Sequence, residues 1–243
     1  MPSRAENFFI KDGYVPNPSA RTLDIESSDR YWTDERIEYS ARYQHHVYLL
    51  AAGIAARNQY QVGLDLGCGT GTKAARILGK VLPEMNLVDQ PTSEELARRA
   101  LPGARFVSAD LETCEFELDT QLDLIVCADV VEHLVDPLPC LRFVRDHLKA
   151  TGTAIFSTPE RDILRGPDCM TSPHEAHVRE WNAAEFRALL EHAGFRIRQQ
   201  LTLPMERLPL LEEVARRSLH RILGLRRWHS SQVAVCVRHS RLQ

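Results

Sequence analysis

A chain of 243 residues with 44% hydrophobic and 26% charged side chains has enough apolar material for one large α/β domain, which excludes a disordered polymer. The net charge of −3 argues against a surface built to coat nucleic acid, although residues 205–243 carry eight Arg against three Glu. Six cysteines without a CxxC pair exclude a disulfide framework or a cysteine-rich zinc site, and the absence of a long apolar run at the N-terminus points to a cytoplasmic protein with no membrane anchor.

Residues 1–34 mix proline, serine and aromatic side chains and read as an irregular arm. Apolar residues at helical spacing then predict a helix from Asp34 to about Asn58. Tyr31, Trp32, Tyr43, Gln44, His46 and Tyr48 make this stretch suited to a lid over a ligand or to ordinary amphipathic packing. The expected division is an arm and lid helix over 1–58 and a catalytic domain over 59–243. In that domain, apolar runs at 61–66, 85–88, 104–107, 122–128 and 153–157 are mostly followed by helical patterns. Such alternation predicts a parallel sheet covered on both faces. A helix over 182–192 follows, with Asn182 as N-cap and Gly194 at its C-terminal end. A strand over 195–203, an amphipathic helix over about 206–224 and a strand over 233–237 complete the chain. The 206–224 helix suits either a cover over a pocket or a homodimer contact.

The strongest motif is LDLGCGTGT, Leu64 to Thr72. A buried strand ends at Asp65 and turns through Gly67, Gly69 and Gly71 into a helix. Glycine lets the backbone turn sharply and lets a ligand lie against it, while the helix start offers free N–H groups. A dinucleotide fingerprint, GxGxxA, formally fits Gly69 to Ala74 and would make the chain an NAD(P)-dependent oxidoreductase. Three acids weigh against that. Asp65 can face a cationic aminoacyl end but would repel a pyrophosphate. Asp89, followed by Gln90, closes the second strand about 20 residues past the loop, where a carboxylate accepts from ribose hydroxyls. Asp110, followed by Leu111, ends the third strand near the position of an adenine amine.

From about Val62 to Phe195 the chain resembles the class I S-adenosylmethionine-dependent methyltransferases. The resemblance implies a Rossmann-like seven-stranded α/β sheet, mostly parallel with the last strand antiparallel, and S-adenosyl-L-methionine as cofactor. It also implies that Asp65, Gly67, Gly69, Gly71, Asp89, Gln90, Asp110, Leu111 and Asp129 line the cofactor site.

The fourth strand runs into LIVCADVVEHLVDP, which puts Asp129, Glu132 and His133 at its carboxyl end, the rim where open parallel sheets bind ligands. A helical turn there would place all three on one face. A loop of about 20 residues after strand five carries His174, Glu175 and His177. These pieces are similar to the ubiquinone-biosynthesis O-methyltransferases and their natural-product and sugar-modifying relatives, which implies methyl transfer to an oxygen, or else a nitrogen, of a small-molecule acceptor. They are also similar to the small-RNA 3′-terminal 2′-O-methyltransferases. That likeness implies a divalent metal on Asp129, Glu132, His133 and His177, with His174 as substitute, and an RNA acceptor. The metal-free alternative makes His133, His174 or His177 the catalytic base, because a hydroxyl attacks poorly while protonated. Arg161, Arg165 and Arg179 in the same loop suit a grip on a substrate anion or plain solvation.

Overall fold

The computed structural model describes residues 7–18, 20, 32–208, 212 and 229–239. Seven strands alternate with helices: α1 (Asp34–Arg42), α2 (His45–Asn58), β1 (Val62–Leu66), α3 (Thr72–Arg76), β2 (Glu84–Asp89), α4 (Glu94–Ala100), β3 (Arg105–Ser108), β4 (Leu122–Ala128), α5 (Leu138–His147), β5 (Leu148–Pro159), α6 (Arg161–Leu164), α7 (Ala183–His192), β6 (Phe195–Leu203) and β7 (Ser231–Arg238). They form one sheet in the order β3-β2-β1-β4-β5-β7-β6. The pairs among β1 to β5 are parallel, and β7 lies antiparallel between β5 and β6. This is the seven-stranded Rossmann-like sheet expected.

Every residue of β4 is buried, because helices cover both faces of the sheet. Ile125 and Cys127 join Leu64, Leu66, Val88 and Phe156 in one core. Leu124 and Val126 turn the other way, toward Leu87, Ile155 and the α2 residues Val47, Ala51 and Ala55. The α7 helix starts as expected: Asn182 accepts from the Glu185 N–H, and the Glu185 side chain answers on the Asn182 N–H. Gly194, with φ +92°, ends it.

One expectation changes. The helix expected over residues 34–58 is two helices, broken at Tyr43 and Gln44. Gln44 adopts a left-handed backbone, φ 59°, and its side chain does not cap α2. Its carboxamide instead donates to Asp129 and accepts from the Ser157 and Ser231 hydroxyls, each at 3.2 Å. Tertiary hydrogen bonds at the strand tips outweigh the helical pattern. The described residues 7–18 of the arm form no helix or strand, yet they pack against the domain. Ile10 and Tyr14 are core residues, and the Val15 and Asn17 N–H groups each donate at 2.8 Å to carbonyls of the loop after β5. The helix expected over 206–224 lies almost wholly outside the described residues. Among the described residues, no helix is long and apolar enough to cross a membrane.

Candidate active site

Because β3, β2, β1 and β4 are parallel neighbours, their carboxyl ends share one rim. Asp65, Asp89, Asp110 and Asp129 therefore stand at consecutive positions along that rim. The glycine loop leaves β1 with positive φ at Gly67, Gly69 and Gly71, at 78°, 54° and 67°. A Cβ on Gly67 would lie 2.4 Å from a Val130 methyl, and one on Gly69 would press on the Trp32 ring at 3.2 Å. Gly67→Ala combines that overlap with a strained backbone. We expect it to lower the melting temperature and weaken nucleoside binding together; unchanged values in both would contradict the close packing described.

Asp65 is fully buried on the α2 side of the sheet, and both of its oxygens accept from the Tyr48 hydroxyl, at 2.9 and 3.0 Å. Burial pushes its carboxyl up to about 7, against the pull of Lys73 and Tyr48. Asp89 accepts from the Gly69 N–H at 2.7 Å, the Gln90 N–H at 2.7 Å and the Ser93 hydroxyl at 3.0 Å. Burial raises its pKa while these three bonds oppose the rise. The Trp32 indole N–H reaches the Ser93 hydroxyl at 3.3 Å, so this ring lies over the glycine loop and beside Asp89. Asp110 is exposed, with one oxygen accepting from the Glu112 N–H at 2.9 Å. The Leu111 side chain would lie 3.7 Å from a Cβ added at Gly67.

Asp129 ends β4 in a left-handed conformation, φ 54°, and its oxygens take bonds from Gln44 and Ser157. After it comes a 3-10 turn, Val131–His133, in place of a helical turn. The consequence is a different grouping from the four residues named above. Glu132, His133 and His177 bring one ligand atom each within 4.8 Å of one another. Asp129 stays outside that group, held by its own hydrogen bonds.

The two histidines are oriented by their backing groups. The His133 Nδ1 faces the Ala176 carbonyl at 2.8 Å. A carbonyl only accepts, so Nδ1 carries the proton and Nε2 keeps its lone pair. Burial, aided by neighbouring His177, pushes His133 down to about 3, which keeps it neutral. The His177 Nδ1 lies 2.7 Å from Glu180. Glu180 is fully buried and also accepts from Arg165, twice at 3.1 Å, and from Ser172 at 3.1 Å. Burial alone would raise its pKa, but the bonds from His177 and Arg165 hold it down at about 2. Glu180 is therefore a carboxylate, and the His177 Nδ1–H donates to it, which leaves Nε2 as the ring nitrogen that Glu180 does not hold. His174 stacks on His177 at 3.8 Å on the exposed side and accepts the Ala176 N–H through its own Nδ1 at 3.2 Å. It is not in the three-residue group. Glu132 is buried, and neither of its oxygens has a hydrogen-bond partner. Burial, and then the nearby Asp129, push its pKa up, against the opposing pull of its own backbone and the Thr158 side chain.

The family of the methyltransferase domain matches residues 30–200, which include the glycine loop, all four rim aspartates and the histidine group. The chain belongs to this methyltransferase domain family. A probable S-adenosylmethionine-dependent methyltransferase of Mycobacterium tuberculosis is 32% identical over 133 residues, 54% of this chain and 47% of the relative. A ubiquinone biosynthesis O-methyltransferase of Vibrio vulnificus is 27% identical over 104 residues, 41% of this chain and 44% of the relative. The chain thus spans about half the length of the curated relatives it matches. The N-methyltransferase NodS of Bradyrhizobium japonicum, solved with S-adenosyl-L-homocysteine, has the same fold: TM-score 0.59, 15% identity, 89% of this chain and 97% of NodS.

In this methyltransferase domain the loop arginines are structural. Arg161 is fully buried and forms a two-pronged bond to Glu185 at 2.6 and 3.0 Å. Arg165 holds Glu180, and Arg179 donates to the Leu134 carbonyl at 3.0 Å while lying over the Phe8 ring. Arg161 and Arg165 are thus committed to carboxylates of the protein itself, whereas the buried Arg179 Nε has no hydrogen-bond partner. Sequence reasoning gave no role to Lys73, Ser93 or Glu180. Lys73 and Ser93 were signalled only by their closeness to the glycine loop and to Asp89, and Glu180 by its place three residues after His177.

Proposed function

We propose that the chain is an S-adenosylmethionine-dependent methyltransferase that delivers the sulfonium methyl group to a hydroxyl oxygen of a small-molecule acceptor. One observation carries this reading: the carboxylates of Asp65, Asp89 and Asp110 follow one another along a single rim around a glycine loop too tight for any Cβ at Gly67. In that arrangement Asp89 meets the ribose hydroxyls and Asp110 the adenine amine. Asp89 already takes three donors, so a ribose diol uses its remaining lone pair and displaces the Ser93 hydroxyl. Trp32, tied to Ser93, then moves with cofactor entry.

The chemistry is an in-line displacement. The C–S bond breaks as the C–O bond forms, the sulfur leaves as a neutral thioether, and the acceptor proton passes to a base. Most of the rate comes from alignment in a site with little water. The His177 Nε2 is suited to receive the proton, because Glu180 fixes the tautomer and stabilises the imidazolium that forms. A hydroxyl acceptor needs such a base more than an amine does, and the ubiquinone O-methyltransferase likeness agrees with oxygen.

A second reading has one specific observation behind it. The Glu132 carboxyl has no hydrogen-bond partner, and it sits with two imidazoles whose Nδ1 atoms are held by the Ala176 carbonyl and by Glu180. That donor set fits a divalent metal of the Zn²⁺ or Fe²⁺ kind, held by Glu132, His133 and His177. When bound, the metal would act as a Lewis acid that acidifies the acceptor hydroxyl.

Thermal melting tests the main reading. A saturating nucleoside ligand that binds only the folded protein adds roughly 3 kcal/mol, or a rise of about 5–10 °C. S-adenosylhomocysteine is expected to produce this rise and NAD(H) or NADP(H) none. The opposite pattern would make the chain an oxidoreductase.

A further inference from the structure

We propose that Lys73 is the residue that binds the carboxylate of the cofactor's methionine end, so that Lys73 and Asp65 together receive a zwitterion. The proposal rests on the cofactor reading above and adds a binding residue to it.

Lys73 stands in the first turn of α3, directly behind the glycine loop. Its side chain does not extend into solvent. The ammonium donates to the Ser40 carbonyl of α1 at 2.9 Å and lies 5.2 Å from the centre of the Tyr48 ring. That ring carries the hydroxyl bound to both Asp65 oxygens. Lys73 thus sits between the glycine loop, the helix beneath Asp65 and the segment that covers the loop. A second tie joins the same elements: the Ser40 and Thr70 hydroxyls meet at 3.3 Å.

The charge arrangement points the same way. Burial disfavours the ammonium, and the opposing pull comes from Asp65 first, then Asp129, Cys68 and Asp89. Conversely, Lys73 is the cation that draws Asp65, Cys68 and Asp89 toward their ionised forms. A rim with four aspartates and no counter-cation would repel the carboxylate of an amino acid. An ammonium has three donors, and the Ser40 carbonyl takes one. The other two suit a carboxylate placed beside the ammonium group that Asp65 attracts. A structural lysine needs only the Ser40 contact and does not need to lie among acids at a ligand-facing rim.

The decisive measurement compares ligands that differ in this one group. S-adenosylmethionine and its decarboxylated form share the nucleoside, the sulfonium and the ammonium, and differ by the carboxylate. Calorimetry on the wild-type chain is expected to show a preference of about 10- to 100-fold for the carboxylated ligand, the range of one charge-assisted bond. In Lys73→Met and in Lys73→Gln that preference should fall to within about threefold, while affinity for the decarboxylated ligand stays close to wild type. A structural lysine predicts instead that both ligands weaken together, and that result overturns the proposal. Equal affinity of the wild type for the two ligands overturns it without any variant having to fold. If the wild type binds neither, the cofactor assignment itself fails, a distinct outcome.

Discussion

Asp89→Ala is expected to weaken S-adenosylhomocysteine binding by about 10²–10⁴-fold. In the proposed complex Asp89 is a charged acceptor for two ribose hydroxyls, and each such bond contributes about 1.5–3 kcal/mol. The same carboxylate holds the Gly69 and Gln90 N–H groups at 2.7 Å. Its removal therefore frees the glycine loop as well as the ribose. Asp89→Asn keeps an acceptor but loses the charge, and should fall between the two. Asp119→Ala, on a side chain that is 83% exposed, should bind like wild type. Calorimetry with purified variants gives the answer directly. Affinity within threefold of wild type in Asp89→Ala would remove the ribose assignment.

His177→Ala is expected to lower kcat by about 10²–10⁴-fold, the usual range for a positioned base, with cofactor affinity unchanged. The split between binding and turnover is the point of the test, because a collapsed site would lose both. The two readings of the histidine group part here. If His177 acts as a base, Glu132→Gln retains most activity, since the carboxamide keeps the shape of a side chain that takes no part in the proton transfer, and chelator has no effect. If a metal is held, Glu132→Gln falls as far as His177→Ala, EDTA abolishes turnover, and cobalt substitution gives visible absorption bands that His133→Ala removes. An unaltered kcat in His177→Ala would sink both.

The sheet was legible because strand alternation and turn glycines are local signals. All seven strands fall where apolar runs and breakers placed them, and Asn182 and Gly194 mark the ends of α7 as read. The rim acids were legible for the same reason: each lies within two residues of a strand's carboxyl end, and parallel order puts those ends together. What escaped depends on contacts between distant segments. The break at Gln44 exists because a carboxamide reaches Asp129, Ser157 and Ser231, at separations no window of sequence contains. Asp129 drops out of the proposed metal set because those partners claim its oxygens. Glu180 orients His177 only because the loop folds back on itself, with Tyr14 donating no signal of its own until its hydroxyl is seen to meet the Glu180 N–H at 3.1 Å.

The strap formed by residues 7–17 bears on how this protein can be trimmed. Ile10 and Tyr14 fill a core beneath the very loop that carries His177 and Glu180, and the match to the domain family starts at residue 30. A recombinant version cut at that boundary would discard the strap, and one ending at residue 200 would also discard β7, the strand that joins β5 to β6. Expression boundaries drawn from homology alone would therefore open a cavity under the histidines and split the sheet.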